Sequence, residues 1–243
     1  MFCHLWVHHG IEVNTGPGKQ QRYWNALKYN FLREQSMGFS TFFSNQAKRP
    51  SGFFGRFVMS AIFDIGNAFL NDMAIEALSI KSRDHILDMG CGNGTFVKKV
   101  AAHITDGCIE GVDFSRTMIS QARRRNKKYI DRGVVKITEG DFNTIGYPDN
   151  YFDKVYTVNT IYFWMNPEET AAKIAAIIKP GGVFVAAFED IRQLEQRNLS
   201  PDVFRLYTAD EVATLLVGSG FINSKVISKT KGDRVFHCVV AVK

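Results

Sequence analysis

From about residue 67 onward, short apolar runs and longer amphipathic stretches take turns along the chain. NAFLNDMAIEALSI (67–80) carries its apolar residues at helical spacing, and HILDM (85–89) is a compact run of strand length. TFVKKVAAHI places Phe96, Val97, Val100, Ala101 and Ile104 on one helical face. CIEGVD (108–113) reads as a second strand, and a helix begins near Ser115. VVKITEGD and KVYTVN are the next two strands. In NPEETAAKIAAIIKPGG, Asn166 is placed to cap, Pro167 suits the first helical position, and Glu169 stands at capping-box spacing. Lys179-Pro180-Gly181-Gly182 then stops that helix. VFVAAF is a fifth strand, and TADEVATLLVGSGF opens with a second capping box, Thr208 to Glu211. FINSKVISKT and RVFHCVVAVK, joined by Lys231-Gly232-Asp233, close the chain as an antiparallel pair. The alternation predicts an α/β domain whose mainly parallel sheet is covered by helices on both faces. The closing pair predicts one antiparallel edge strand.

The first 66 residues have a different character. Residues 1–21 show turn residues and no period. Between Tyr23 and Ile65 aromatics accumulate, and Phe53, Phe54, Phe57, Val58, Ala61, Ile62 and Ile65 recur at helical spacing. Such a face packs on a neighbouring domain or closes over an apolar ligand. The expected organisation is an N-terminal extension and helical cap or lid over residues 1–66, then the α/β domain over 67–243.

Composition narrows this only slightly. Of 243 residues, 45% are hydrophobic and 22% charged, as in an ordinary globular protein. No run reaches the ~18 apolar residues of a membrane span, so no transmembrane segment is expected. The four cysteines, Cys3, Cys91, Cys108 and Cys238, lack CxxC spacing. That spacing fits a reducing, cytoplasmic setting better than a zinc site or a disulfide framework. The formal net charge of +6 permits contact with nucleic acid. The densest run, RRRNKK (123–128), falls near a helix C-terminus, where cations complement the helix dipole, and reads first as a solvated helix end.

Ligands of open α/β sheets bind beyond the carboxyl ends of the strands, so the strand tips carry the chemistry. The first tip has Asp88 and then Gly90-Cys91-Gly92-Asn93-Gly94. The second has Asp113, the third Asp141-Phe142, and the fourth Asn159 followed by Tyr162-Phe163-Trp164. Glycines let a backbone approach a nucleotide-like molecule closely. Asp113 stands at about the ~20-residue spacing of an acid that accepts hydrogen bonds from ribose hydroxyls. Asp141 and Phe142 suit an adenine, with one group for its amino nitrogen and one for its ring face. Dinucleotide binders use G-x-G-x-x-G around a pyrophosphate, whereas this loop reads G-C-G-N-G beside an aspartate. A carboxylate there repels phosphate and suits a cationic, ammonium-bearing ligand. S-adenosylmethionine is such a molecule.

Taken in order, ILDMGCGNG, GVDFS, EGDF, FDKVYTVNTIYFW and KPGG resemble the class I S-adenosylmethionine-dependent methyltransferases. Similarity is closest to the small-molecule group that includes the ubiquinone/menaquinone C-methyltransferases. The resemblance covers roughly residues 67–243. It implies a Rossmann-like, seven-stranded mixed sheet of order 3-2-1-4-5-7-6, the last strand antiparallel. It also implies roles. Asp88, Gly90, Cys91 and Gly92 would line the methionine moiety, and Asp113 would hold the ribose. Phe114 and Met118 would pack near ribose and adenine. Asp141 and Phe142 would receive the adenine, and Asn159 would lie near the methyl group. S-adenosylhomocysteine would be the product. Asn159-Thr160-Ile161-Tyr162 differs from the motifs of methyltransferases acting on nucleic-acid bases, which disfavours a nucleic-acid partner and leaves a small-molecule acceptor.

A base at the acceptor is harder to find. His85, His103 and His237 fall away from the strand tips, and Tyr162 is the candidate for direct catalysis, with Glu189 and Asp190 behind it. Phe163 and Trp164 would pack or close over an apolar or aromatic acceptor. An RNA-binding methyltransferase, a nicotinamide-dependent oxidoreductase and a non-catalytic module remain as other readings.

Overall fold

The computed structural model describes residues 68–197 and 204–243. The helical cap expected before residue 67 lies outside the described residues. The described chain runs in this order: α1 (68–78), β1 (His85–Met89), α2 (Thr95–Ala101), β2 (Cys108–Asp113), α3 (Arg116–Ile130) and β3 (Val135–Glu139). β4 (Phe152–Val158) follows, then a 3₁₀ turn (Ile161–Phe163), α4 (Pro167–Ile177), β5 (Ile178–Glu189) and α5 (Ile191–Glu195). α6 (Ala209–Gly218), β6 (Asn223–Lys231) and β7 (Arg234–Val242) complete it.

The seven strands form one sheet of order β3-β2-β1-β4-β5-β7-β6. β1 to β5 pair in parallel, and β7 runs antiparallel to both of its neighbours. The antiparallel strand is therefore interior and β6 is the edge, the order that the resemblance implied, whereas the closing pair taken alone suggested an antiparallel strand at the edge. Side-chain chemistry explains the order. β7 buries Phe236, His237, Cys238 and Val239 in succession and needs cover on both faces. β6, NSKVISKTK, buries none of its residues fully and is suited to the rim.

Each face of the sheet has its own core. One layer joins Leu87, Val155, Phe184 and Phe188 to Ile174 of α4 and Leu216 of α6. The other joins Ile86, Ile109, Tyr156 and Val185 to Leu70, Val97 and Ile119 from α1, α2 and α3. At the amino end of the strands Lys154 Nζ meets Asp84 Oδ2 at 2.5 Å, and both side chains are buried.

Local signals behaved unequally. The Thr208–Glu211 capping box forms in full at α6. At α4 the Asn166 side chain makes no cap; its amide donates to Glu169 Oε2 instead (3.0 Å). The KPGG segment both ends α4 and begins β5. Ile178 pairs with Phe152, but the next pairing is Lys154 with Val183, so the four residues between form a bulge.

Candidate active site

The carboxyl ends of β1 to β4 converge on one cavity of about 480 Å³. Asp88, Gly90, Cys91, Gly92, Asp113, Phe114, Met118, Asp141, Phe142 and Asn159 all line it. These are the ten positions singled out for cofactor contact, drawn from four separate strand tips.

The glycine loop explains how the first tip is made. Gly94 has φ +73°, and a Cβ there would lie 2.6 Å from Asn126 Nδ2 and 2.8 Å from Ala122 Cα. That glycine lets the loop press against α3, and Asn126, fully buried, locks it by donating to Gly94 O at 2.9 Å. Gly92 differs: its φ is +52°, and no atom lies within 4 Å of where a Cβ would stand. Its missing side chain leaves open space on the cavity wall.

Asp113 spans two of the tips. Its Oδ2 accepts from Gly92 N–H (3.0 Å) and its Oδ1 from Ser115 N–H (2.8 Å). The Ser115 hydroxyl caps α3 through Met118 N–H. Burial still outweighs these donors and raises the Asp113 carboxyl above its ordinary value. Asp88 is only 3% exposed. Burial pushes its carboxyl up to about 8, and the nearby Asp113 charge adds to the shift. The Tyr156 hydroxyl opposes it electrostatically without reaching hydrogen-bond geometry. Burial also holds the Cys91 thiol well above its usual value, so it stays neutral.

At the third tip Asp141 Oδ1 accepts from Asn143 N–H (2.9 Å). At the fourth, Asn159 adopts φ +55°, a left-handed conformation that asparagine tolerates better than most residues. Its N–H donates to Ala187 O of β5 (2.8 Å). Phe163 and Trp164 face the same cavity.

Tyr162 does not line the cavity. It is 1% exposed, and its hydroxyl accepts from Glu189 N–H (2.8 Å) with Asn159 Oδ1 3.4 Å away. Burial raises its pKa well above that of a free phenol, so the hydroxyl stays protonated. Glu189 is fully buried between Arg197 and Arg234, each 2.7 Å from a carboxylate oxygen. Asp190 is held by Arg192 and His237. All three side chains are engaged in holding the ends of β4, β5 and β7.

Other residues at the site escaped the sequence pattern. Asn71 and Lys99 line the cavity, and Lys99 Nζ reaches Asp72 Oδ1 at 2.8 Å. Lys173 and Thr170 of α4 fasten the loop after β3.

A sheet of this order with acids at three consecutive tips defines a nucleoside-binding α/β protein in which the first loop does not serve a pyrophosphate. Comparison with known proteins makes this specific. Residues 87–186 match the family described as "Methyltransferase domain". "Uncharacterized methyltransferase YdaC" of Bacillus subtilis (strain 168) is 32% identical over 177 residues, covering 73% of this chain and 93% of that protein. "24-methylenesterol C-methyltransferase 2" of Arabidopsis thaliana is 29% identical over 115 residues, 47% of this chain and 32% of that protein. The chain thus spans about a third of the length of that sterol enzyme. Among solved structures, an S-adenosylmethionine-dependent methyltransferase from Mesorhizobium loti superposes with a TM-score of 0.60 at 19% identity, covering 72% of this chain and 98% of that one. The chain belongs to the class I S-adenosylmethionine-dependent methyltransferases.

Proposed function

We propose that this chain binds S-adenosylmethionine in the cavity and passes its methyl group to a small, apolar or aromatic acceptor, releasing S-adenosylhomocysteine. The observation that carries the reading is the convergence of Asp88, Asp113 and Asp141 on one space. The residues fit the ligand group by group. Asp88, a buried carboxyl with a raised pKa, suits an ammonium. Asp113 keeps lone pairs on both oxygens for two vicinal hydroxyls while the backbone holds it. Asp141 and Phe142 offer an acceptor and a ring face to adenine. Gly90, Cys91 and the open wall at Gly92 admit the methionine chain, with Lys99 at hand for its carboxylate. Phe114 and Met118, which line the same cavity, would pack near the ribose and adenine.

The cofactor supplies an electrophilic methyl on a sulfonium that leaves readily. The protein's part is alignment and exclusion of water. Asn159, fixed by its bond to β5, would lie near the methyl group. Tyr162 holds the tips of β4 and β5 together rather than meeting the acceptor. Phe163 and Trp164 offer apolar surface to it. From its sequence alone, the aromatic segment between Tyr23 and Ile65, which lies outside the described residues, is the candidate lid, with the domain division near residue 66. Full turnover on a small acceptor after removal of residues 1–52 would exclude that role. Similarity to a sterol C-methyltransferase supports an apolar acceptor.

A small molecule is favoured over nucleic acid because much of the basic run is spent on the domain itself. Arg123 donates to Ile137 O, Arg125 to Asn93 O, and Lys127 pairs with Asp131. No helix among the described residues is long and apolar enough to cross a membrane. The free thiols of Cys91, Cys108 and Cys238 support a cytoplasmic setting.

Calorimetric titration tests the reading. S-adenosylmethionine and S-adenosylhomocysteine should bind at micromolar concentration and NADH should not. Asp113→Ala should abolish binding, because it removes the ribose acceptor and the anchor of Gly92 together. Absence of binding by either sulfur ligand would overturn the proposal.

A further inference from the structure

The ammonium of Lys173 sits among three backbone carbonyls of the segment that follows β3. Its Nζ donates to Phe142 O (2.7 Å), Asn143 O (2.9 Å) and Ile145 O (2.7 Å). Three donors meet three acceptors, so the group is fully used. The same Nζ stands 5.0 Å from the centroid of the Phe142 ring, within cation–π range. One turn earlier on α4, Thr170 Oγ1 donates to Asn143 Oδ1 (3.1 Å).

These contacts reach the cavity through one peptide plane. In a trans peptide the C=O and the N–H point in opposite directions from a rigid unit. The plane between Phe142 and Asn143 has its carbonyl on Lys173 and its N–H on Asp141 Oδ1 (2.9 Å). Fixing the carbonyl therefore fixes the N–H, and the N–H fixes the carboxylate. Asp141 Oδ2, bonded to no group among the described residues, is left as the acceptor presented to the cavity.

We infer that Lys173 is a positioning residue for recognition of the 6-amino group of the purine. It acts through the 142–143 peptide and the Asp141 carboxylate, and it makes the nucleoside end of the cavity select adenine over a 6-oxo purine. The inference rests on the cofactor reading above. A 6-oxo ring offers Asp141 a lone pair where adenine offers a hydrogen, so a rigidly held carboxylate rejects it. A loosely held carboxylate swings away and discriminates less.

The test compares binding of S-adenosylhomocysteine and S-inosylhomocysteine to the full chain and to two variants. The wild type should favour the adenosyl ligand by about tenfold or more, the worth of one hydrogen bond to a charged group. Lys173→Met should weaken S-adenosylhomocysteine by about tenfold and S-inosylhomocysteine much less, so that the ratio collapses. Lys173→Arg keeps the charge, but its planar fork cannot gather three carbonyls about one point; its ratio should fall between the two. Should Lys173→Met fail to fold, the arginine variant decides by the same ratio. Equal weakening of both ligands, or an unchanged ratio in the variant that folds, overturns the inference. Failure of the wild type to bind S-adenosylhomocysteine removes the cofactor reading itself, a result distinct from a loss confined to the variants.

Discussion

With its carboxyl pushed up to about 8, Asp88 carries a proton through the neutral range. An arriving ammonium favours the ionised form, so cofactor binding must expel that proton. Affinity should rise as pH increases toward 8, by up to about tenfold per pH unit, and level off above it. Titration between pH 6 and 9 in buffers of different ionisation enthalpy would show the proton release, and Asp88→Asn should remove the slope. The same group acts on folding with the opposite sense. The unfolded carboxyl ionises near its ordinary value of 3.8 and the folded one near 8. The ligand-free folded chain binds more protons between those values, so its stability falls as pH rises from about 4 to about 8. Asp88→Asn should flatten that decline in urea melts. The two glycines separate in a different experiment. Gly94→Ala must displace Asn126 or α3 and should lower the melting temperature markedly. Gly92→Ala meets no protein atom and costs about 1 kcal/mol of backbone strain, while blocking ligand entry; calorimetry with S-adenosylhomocysteine distinguishes the pair. The acids at the tips were legible because each ends an apolar run or opens the loop beyond one. Asn126 and Lys173 were not, because their partners lie 32 and 31 residues away and only folding brings them together.

Among elements, helix starts and strand order show where local chemistry suffices. Thr208 writes its cap into four consecutive residues and the box forms; Thr208→Ala should cost about 1 kcal/mol in chemical denaturation. Asn166 has the same spacing to its glutamate, yet the pair bonds side chain to side chain, so a spacing rule alone overstates capping. The depth of β7 within the sheet is visible in its apolar run, interrupted only by His237, but a reading of hairpin connection alone puts it at the rim. β5, β6 and β7 are further tied by His237, whose ring nitrogens meet Ser228 Oγ at 2.8 Å and Asp190 Oδ2 at 3.0 Å. Those contacts give His237 a structural role. At the opposite end of the sheet, Lys154→Met would strand the buried Asp84 carboxylate and should destabilise the chain by about 3–5 kcal/mol.

For the molecule as a whole, the cavity joins tips that belong to different strands, so an occupant holds the carboxyl end of the sheet together. S-adenosylhomocysteine at 100 times its dissociation constant should stabilise the folded state by about 2.7 kcal/mol, seen as a rise in melting temperature that NADH does not reproduce. Most of this architecture follows from the alternation of runs along the chain, because a parallel sheet covered on both faces has few workable connections. The aromatic region before residue 67 offers no such constraint, since an apolar helix face is compatible with many neighbours. The rim strand has one more consequence. Among the described residues no strand pairs with the outer side of β6, which leaves a row of amide and carbonyl groups of the kind that docks the same strand of another molecule. Lys225, Lys229 and Lys231 stand along it. Two such rims brought together would crowd the Lys225 and Lys231 ammonium groups of both into one seam, Lys229 being paired with Glu76. Their mutual repulsion should oppose edge-to-edge association, so replacing Lys225 and Lys231 by valine should raise light scattering from concentrated solutions.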